Sequence, residues 1–228
     1  MRIGGIQKLT LLDYPGKIAC TVFLAGCNLR CPYCHNASLA KGEAFGMAEE
    51  ELFEFLAARR KKLDGVCISG GEPTLWPQLP DFLCRIKELG FSVKLDTNGT
   101  NPKLMSALCR DGLLDYVAMD IKASPDKYRE VCGGADIISS VRSSAQLLLS
   151  GAVDYEFRTT LCEPLFDLCD ADEIGRWLAG AKRYYLQQFV PSGDILSPSG
   201  LYAPSEEKMA EYRQRVIPYI PNTYIRGI

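Results

Sequence analysis

Cys27, Cys31 and Cys34 lie in the stretch GCNLRCPYCHN with three and then two residues between them, and His35, the chain's only histidine, follows directly. Thiolates and an imidazole so close together are metal-ligand material. Four such ligands close a tetrahedral zinc site, whereas three leave a metal position open for chemistry. The distant second pair of ligands that a structural zinc site uses is missing. Three cysteines crowded into eight residues suit one face of an iron–sulfur cluster, and a four-iron cluster held by three thiolates keeps one iron free for a substrate. On spacing alone both metals stay open. His35 is read as a hydrogen-bonded loop residue, and Tyr33, between two ligand candidates, as a shield for the site or a stacking platform for a planar ring.

Further polar groups follow at intervals: SGGEP at 69–73, DTNGT at 96–100, DIKA at 120–123, RTT at 158–160 and QQFVPSG at 187–193. Gly70 and Gly71 let a ligand approach the backbone or simply make a tight turn. Glu72 can hold an ammonium group through a charge-assisted hydrogen bond. Asp96, Thr97 and Asn98 form either an Asx-type turn or a set of ligand contacts. Asp120 and Lys122 share a side by period-two alternation, as an ion pair or as site residues. Arg158 is structural or functional on equal terms. Of Gln187 and Gln188, one faces inward and the other the helices.

These groups need a scaffold. Apolar, strand-like runs cover 18–24, 65–69, 92–97, 116–121, 155–160 and 184–189, and helix-like segments lie near 48–62, 77–89, 102–110, 136–150 and 170–181. Residues 3–10 offer an extra strand, 204–216 a helix and 223–226 a short last strand. Such alternation predicts an α/β chain with a parallel sheet, open or curled into a full or partial barrel. In either form ligands gather at the C-terminal strand ends, which is where every polar cluster falls.

At 228 residues, 47% hydrophobic, 24% charged and with a net charge of −2, the chain reads as globular, with no sign of a nucleic-acid or membrane surface. No segment resembles a secretion signal or a bilayer span, which places the protein in the cytoplasm. Ten cysteines in that setting mean metal binding, catalysis or buried thiols rather than disulfides. Cys20 and Cys67 read as strand thiols and Cys84 and Cys109 as helix thiols, while Cys132, Cys162 and Cys169 are too widely spaced for a convincing second cluster.

The C-x3-C-x2-C motif with an aromatic before its last cysteine, followed one strand later by GGEP, resembles the radical S-adenosylmethionine (SAM) superfamily. The opening IGGIQKLTLLDYPGKIACTVFLAGCNLRCPYCHN, with DTNGT, MDIKA and LQQFVP, further resembles the long-form activating enzymes of anaerobic ribonucleoside-triphosphate reductase, from about residue 3 to about residue 200. The resemblance implies one radical SAM domain over 1–228 with its core at about 16–200, folded as a TIM-like partial (β/α)6 barrel. It implies a 4Fe–4S cluster on Cys27, Cys31 and Cys34, whose free iron chelates the amino and carboxylate groups of S-adenosylmethionine. Gly70, Gly71 and Glu72 would receive the methionyl amino group, Tyr33 would lie near the adenine, Asp96 and Asn98 near the ribose or methionyl end, and Gln188 near the nucleotide. In related formate-lyase activases an aspartate–threonine pair and a D-x-K motif organise a monovalent cation and the methionyl carboxylate. Asp96, Thr97, Asp120 and Lys122 match that pattern, although the motif's methionine stands here at Met119, directly before Asp120.

The implied chemistry is reductive cleavage of S-adenosylmethionine to a 5′-deoxyadenosyl radical, which takes a Cα hydrogen from a glycine of the partner reductase. The electron would come from a low-potential donor such as flavodoxin or ferredoxin. Residues 190–200 are the candidate lip for the partner's loop. Alternatives are an activase of another glycyl-radical enzyme, a radical enzyme acting on a small molecule, and a non-catalytic zinc or iron–sulfur module. Cys31→Ala is expected to abolish cluster assembly and His35→Ala to leave it intact, as read from iron content and broad absorbance near about 400 nm after anaerobic reconstitution.

Overall fold

The computed structural model describes residues 1–44, 46–191 and 193–227. Strand β1 (Ile3–Thr10) runs antiparallel to β2 (Ala19–Leu24). From there every neighbour is parallel, through β3 (Gly65–Gly70), β4 (Ser92–Thr97), β5 (Tyr116–Asp120), β6 (Asp154–Leu161), β7 (Tyr184–Gln188) and β8 (Thr223–Arg226). Strand order equals chain order, and β1 and β8 are the two edges of the sheet, not paired with each other among the described residues. The sheet is therefore an open arc, a partial barrel around the six parallel strands β2 to β7.

Helices α1 (Ala37–Lys41), α2 (Glu49–Arg59), α3 (Leu79–Glu88), α4 (Pro102–Arg110), α5 (Tyr128–Val131), α6 (Ile138–Leu149), α7 (Leu168–Trp177) and α8 (Glu206–Val216) fill the connections. Their starts carry local signals. Three glutamates open α2, and Asn101 before Pro102 accepts the Leu104 amide at 3.2 Å. Asp167 and Asp170 close a reciprocal capping box on α7. The short α1 and α5 were not foreseen, because one turn is too little for periodicity to register.

Register assigns the two faces of the sheet. The row Val22, Ile68, Leu95, Val117 and Tyr155 runs across five strands, none of these residues more than 1% exposed. It forms the apolar layer under the helices. One residue along, the row Thr21, Cys67, Lys94 and Tyr116 faces the inside of the arc, followed by Ser69 and Asp96, then Asp120 and Arg158. Parallel strands are ordinarily apolar on both faces; here the inner face is polar and charged, the mark of a lining rather than a core. No helix among the described residues is long and apolar enough to cross a membrane. Replacing the exposed Asp167 by Ala should cost about 1 kcal/mol through loss of the cap, measured as a lower urea midpoint with unchanged slope.

Candidate active site

The cysteine loop leaves β2 through Gly26, whose φ of 96° is open to glycine. It is rooted by Gly26 N–H to Leu39 O at 2.7 Å and Cys27 N–H to Ala40 O at 3.0 Å, so α1 serves as its brace. The end of β3 presses on the same root: Gly71 N–H donates to Leu24 O and Glu72 N–H to Gly26 O, both at 2.8 Å. A Cβ on Gly71 would stand 2.1 Å from Gly26 O, and one on Gly70, at φ 116°, 2.3 Å from Leu24 O. The glycine pair thus serves first to let the chain lie against itself, while both residues still border the cavity.

Cys27, Cys31 and Cys34 all line one cavity of about 270 Å³ at the C-terminal strand ends. Cys31 is buried and the other two are half-buried. Leu29 N–H donates to Cys27 Sγ at 3.4 Å, and Asn98 Nδ2 stands 4.0 Å from it. A hydrogen bond from the Cys132 thiol draws Cys31 down to about 7, burial opposing and the Lys122 ammonium assisting. Sequence had set Cys132 with Cys162 and Cys169. The structure packs Cys132 beside Cys31, with Arg30 N–H on Cys132 O at 3.3 Å, buries Cys162 just past β6 and leaves Cys169 exposed on α7.

His35 Nε2–H donates to Val190 O at 2.6 Å, and its ring stacks on Phe189 at 5.1 Å. The surrounding stretch, read from sequence as a lip, is tied to the cysteine loop, with Ser192 outside the described residues. Ala37 N–H and Ser38 N–H bond Asp194 O and Oδ2 at 3.0 and 2.6 Å, Leu196 N–H bonds Cys34 O at 3.0 Å, and Ser197 N–H bonds Pro32 O at 2.9 Å. Tyr33 is buried and donates its hydroxyl to Lys122 O at 3.1 Å, pinning the loop to the end of β5.

Across the cavity the strand ends carry a chain of alternating charge. Lys94 Nζ contacts Asp96 Oδ1. Arg158 bridges Asp96 Oδ2 at 3.3 Å and Asp120 Oδ1 at 2.9 Å, and Lys122 Nζ lies 2.9 Å from Asp120 Oδ2. Burial works against ionising either aspartate. Arg158 outweighs it, together with Lys94 at one end and Lys122 at the other, and holds both carboxyls below the usual range. Lys94 is the residue that sequence reasoning missed; a lysine with hydrophobic neighbours on a predicted strand gave no sign of the carboxylate two positions on.

Two expected placements change. Glu72 is fully buried and turned into the protein, accepting from Thr74 N–H at 3.0 Å, Thr97 Oγ1 at 2.8 Å and Asn98 N–H at 2.7 Å. Its oxygens are committed to organising the turns after β3 and β4, so its side chain is not presented to a ligand's ammonium. Gln188 donates Nε2–H to Pro204 O at 2.9 Å, whereas Gln187 lines the cavity. The pleat puts Gln187 in the row facing inward with Thr160 and Arg226. Asp96, Thr97, Asn98, Asp120 and Lys122 are cavity-lining, as is Tyr33.

The Radical SAM superfamily profile matches residues 21–149, which is more than half of the chain. A Methanocaldococcus jannaschii protein named "putative glycyl-radical enzyme activating enzyme" is 37% identical over 235 residues, spanning 99% of this chain and 96% of that one. The chain belongs to the radical SAM superfamily. Within it, the chain falls in the family of glycyl-radical enzyme activating enzymes. The pyruvate formate-lyase-activating enzyme of Clostridium pasteurianum is 36% identical over 141 residues, covering 58% of this chain and 57% of its own length. Streptococcus suis SuiB, in its S-adenosylmethionine-bound structure, shares the fold at a TM-score of 0.69 and 14% identity, over 91% of this chain and 52% of that one.

A radical SAM family implies an iron–sulfur cluster and S-adenosylmethionine, and the lining fits both. Cys27, Cys31 and Cys34 bring three thiols to one cavity, the donor type that holds an iron–sulfur cluster. Lys122 and Arg158 line the same cavity and offer N–H donors suited to a carboxylate.

Asp96 and Asp120 titrate lower in the fold than in the unfolded chain. Their stabilisation is complete above about pH 4 and is lost as pH falls below it. Arg158→Met should cost about 3–5 kcal/mol at neutral pH by leaving both carboxylates short of a partner. Its melting temperature should also fall less steeply on acidification than that of the parent; equal acid slopes would show that the ion chain does not carry this dependence.

Proposed function

We propose that this protein is the activating enzyme of an anaerobic ribonucleoside-triphosphate reductase, generating a glycyl radical on that partner at the expense of S-adenosylmethionine. The observation that carries the reading is the union of three thiols with the Lys122 and Arg158 donors in one cavity, on a chain that aligns end to end with a glycyl-radical enzyme activating relative.

In this reading Cys27, Cys31 and Cys34 hold the cluster and leave an iron for the cofactor's amino and carboxylate groups. When bound, the cluster and S-adenosylmethionine together supply one-electron cleavage and hydrogen-atom abstraction, chemistry that belongs to the cofactors. The protein's part is placement and exclusion of water. Lys122 and Arg158 present N–H donors to a carboxylate, the backbone at Gly70 and Gly71 borders the amino end, and Tyr33 walls the site beside the loop. Asn98 braces Cys27's neighbourhood through Asn28 Oδ1 at 3.0 Å. The open edge between β1 and β8 leaves room for an extended peptide, and a flavodoxin or ferredoxin is the electron donor that this chemistry asks for. A whole-length relative named for glycyl-radical activation favours a protein substrate over a small molecule.

The test mixes reconstituted protein, S-adenosylmethionine, reductant and the reductase without oxygen, and records an electron paramagnetic resonance spectrum. A glycyl-radical signal that vanishes when the reductase's radical glycine is replaced by alanine is the expected result. A signal only with a different glycyl-radical enzyme would reassign the partner, and no cleavage of S-adenosylmethionine would sink the reading.

A further inference from the structure

The monovalent cation implied by resemblance to the formate-lyase activases needs oxygen ligands, and here each candidate is already engaged. Asp96 Oδ1 is taken by Lys94, and Asp96 Oδ2 by Ser69 Oγ–H at 3.0 Å and Arg158 at 3.3 Å. Asp120 gives one oxygen to Arg158 and the other to Lys122, each at 2.9 Å. Thr97 Oγ1 donates to Glu72 at 2.8 Å and accepts Gly99 N–H at 3.1 Å. Met119 is fully buried with its side chain against Gly99, on the face away from the arc's interior.

Lys94 explains why. Its side chain is 1% exposed and rises from the floor of the arc, with Cys67 Sγ 3.7 Å from Nζ and the Asp96 carboxylate above it. Its ammonium thus sits beneath the site, against Asp96. A metal cation on Asp96 would face this ammonium across a poorly screened interior, like charge against like. Lys94, Arg158 and Lys122 between them engage both oxygens of Asp96 and of Asp120, while Glu156 below is matched by Arg226 at 3.2 Å.

We infer that the Lys94 ammonium stands in for the monovalent cation, so that S-adenosylmethionine binds at this site without sodium or potassium. Lys94 is a positioning residue, acting through Asp96 on the groups that meet the cofactor's carboxylate. The inference rests on the cofactor chemistry proposed above.

The test is equilibrium titration of S-adenosylmethionine into anaerobically reconstituted protein, in choline, sodium or potassium chloride at equal ionic strength. The parent protein should bind with affinities within about twofold of one another in the three salts. Lys94→Met should bind about tenfold more weakly in choline and recover in sodium or potassium, and Lys94→Arg should behave as the parent does. A parent that loses about tenfold in choline overturns the inference, as does a Lys94→Met protein indifferent to the salt. Should that variant not fold, the parent's three titrations decide. Failure to bind in every salt would instead refute the proposed function itself.

Discussion

Ion pairing inside a poorly hydrated arc governs this structure. A charge removed from water survives only when paired and hydrogen-bonded, and the inner face of the sheet carries five such charges in a row. Arg158 is the keystone, because its guanidinium reaches two carboxylates on neighbouring strands at once. Its planar fork of N–H donors spans the two more widely than a lysine's single ammonium centre. Strands β4, β5 and β6 are thereby locked together at the ends where ligands collect, in addition to their backbone pairing. The same arginine and carboxylates line the cavity, so stability and ligand contacts come from one arrangement.

A second constraint acts where no side chain can. The end of β3 and the exit of β2 meet backbone to backbone at Gly70, Gly71 and Gly26. That contact fixes the start of the cysteine loop relative to the sheet before any metal chemistry is considered. Glu72 continues the theme by gathering donors from the turns after β3 and β4. Burial tends to raise its carboxyl's pKa, against the pull of Asn98, Thr74 and Thr97. Its work is to shape the loops.

Much of this was legible in the sequence. Strand identity, parallel topology and the clustering of polar residues at strand ends follow from periodicity and from the rules for α/β sheets, and the thiols announce themselves by spacing. The misplacements have a common cause. Glu72 and Gln188 carry the right chemistry beside the right strand end, but which way a side chain turns at a strand's last residue depends on the tertiary partners that receive it. Gln188 was captured by Pro204 and Glu72 by two turns, neither visible locally. Lys94 was overlooked for a related reason: its partner Asp96 lies two positions along the same strand, but the burial of the pair depends on Arg158, brought in by β6. The short α1 and α5 lack the length to show a period.

The bonds that hold the cysteine loop are spread widely along the chain. Residues 26–35 are held by Leu39 and Ala40 nearby, but also by Lys122, Cys132, Val190, Leu196 and Ser197. During synthesis the thiols emerge early, whereas their last supports emerge more than 160 residues later. The nascent loop therefore spends most of translation without its walls. Maturation of the site is a late event, gated by the C-terminal part of the chain, and a truncation far from the cysteines would be felt first at the cysteines.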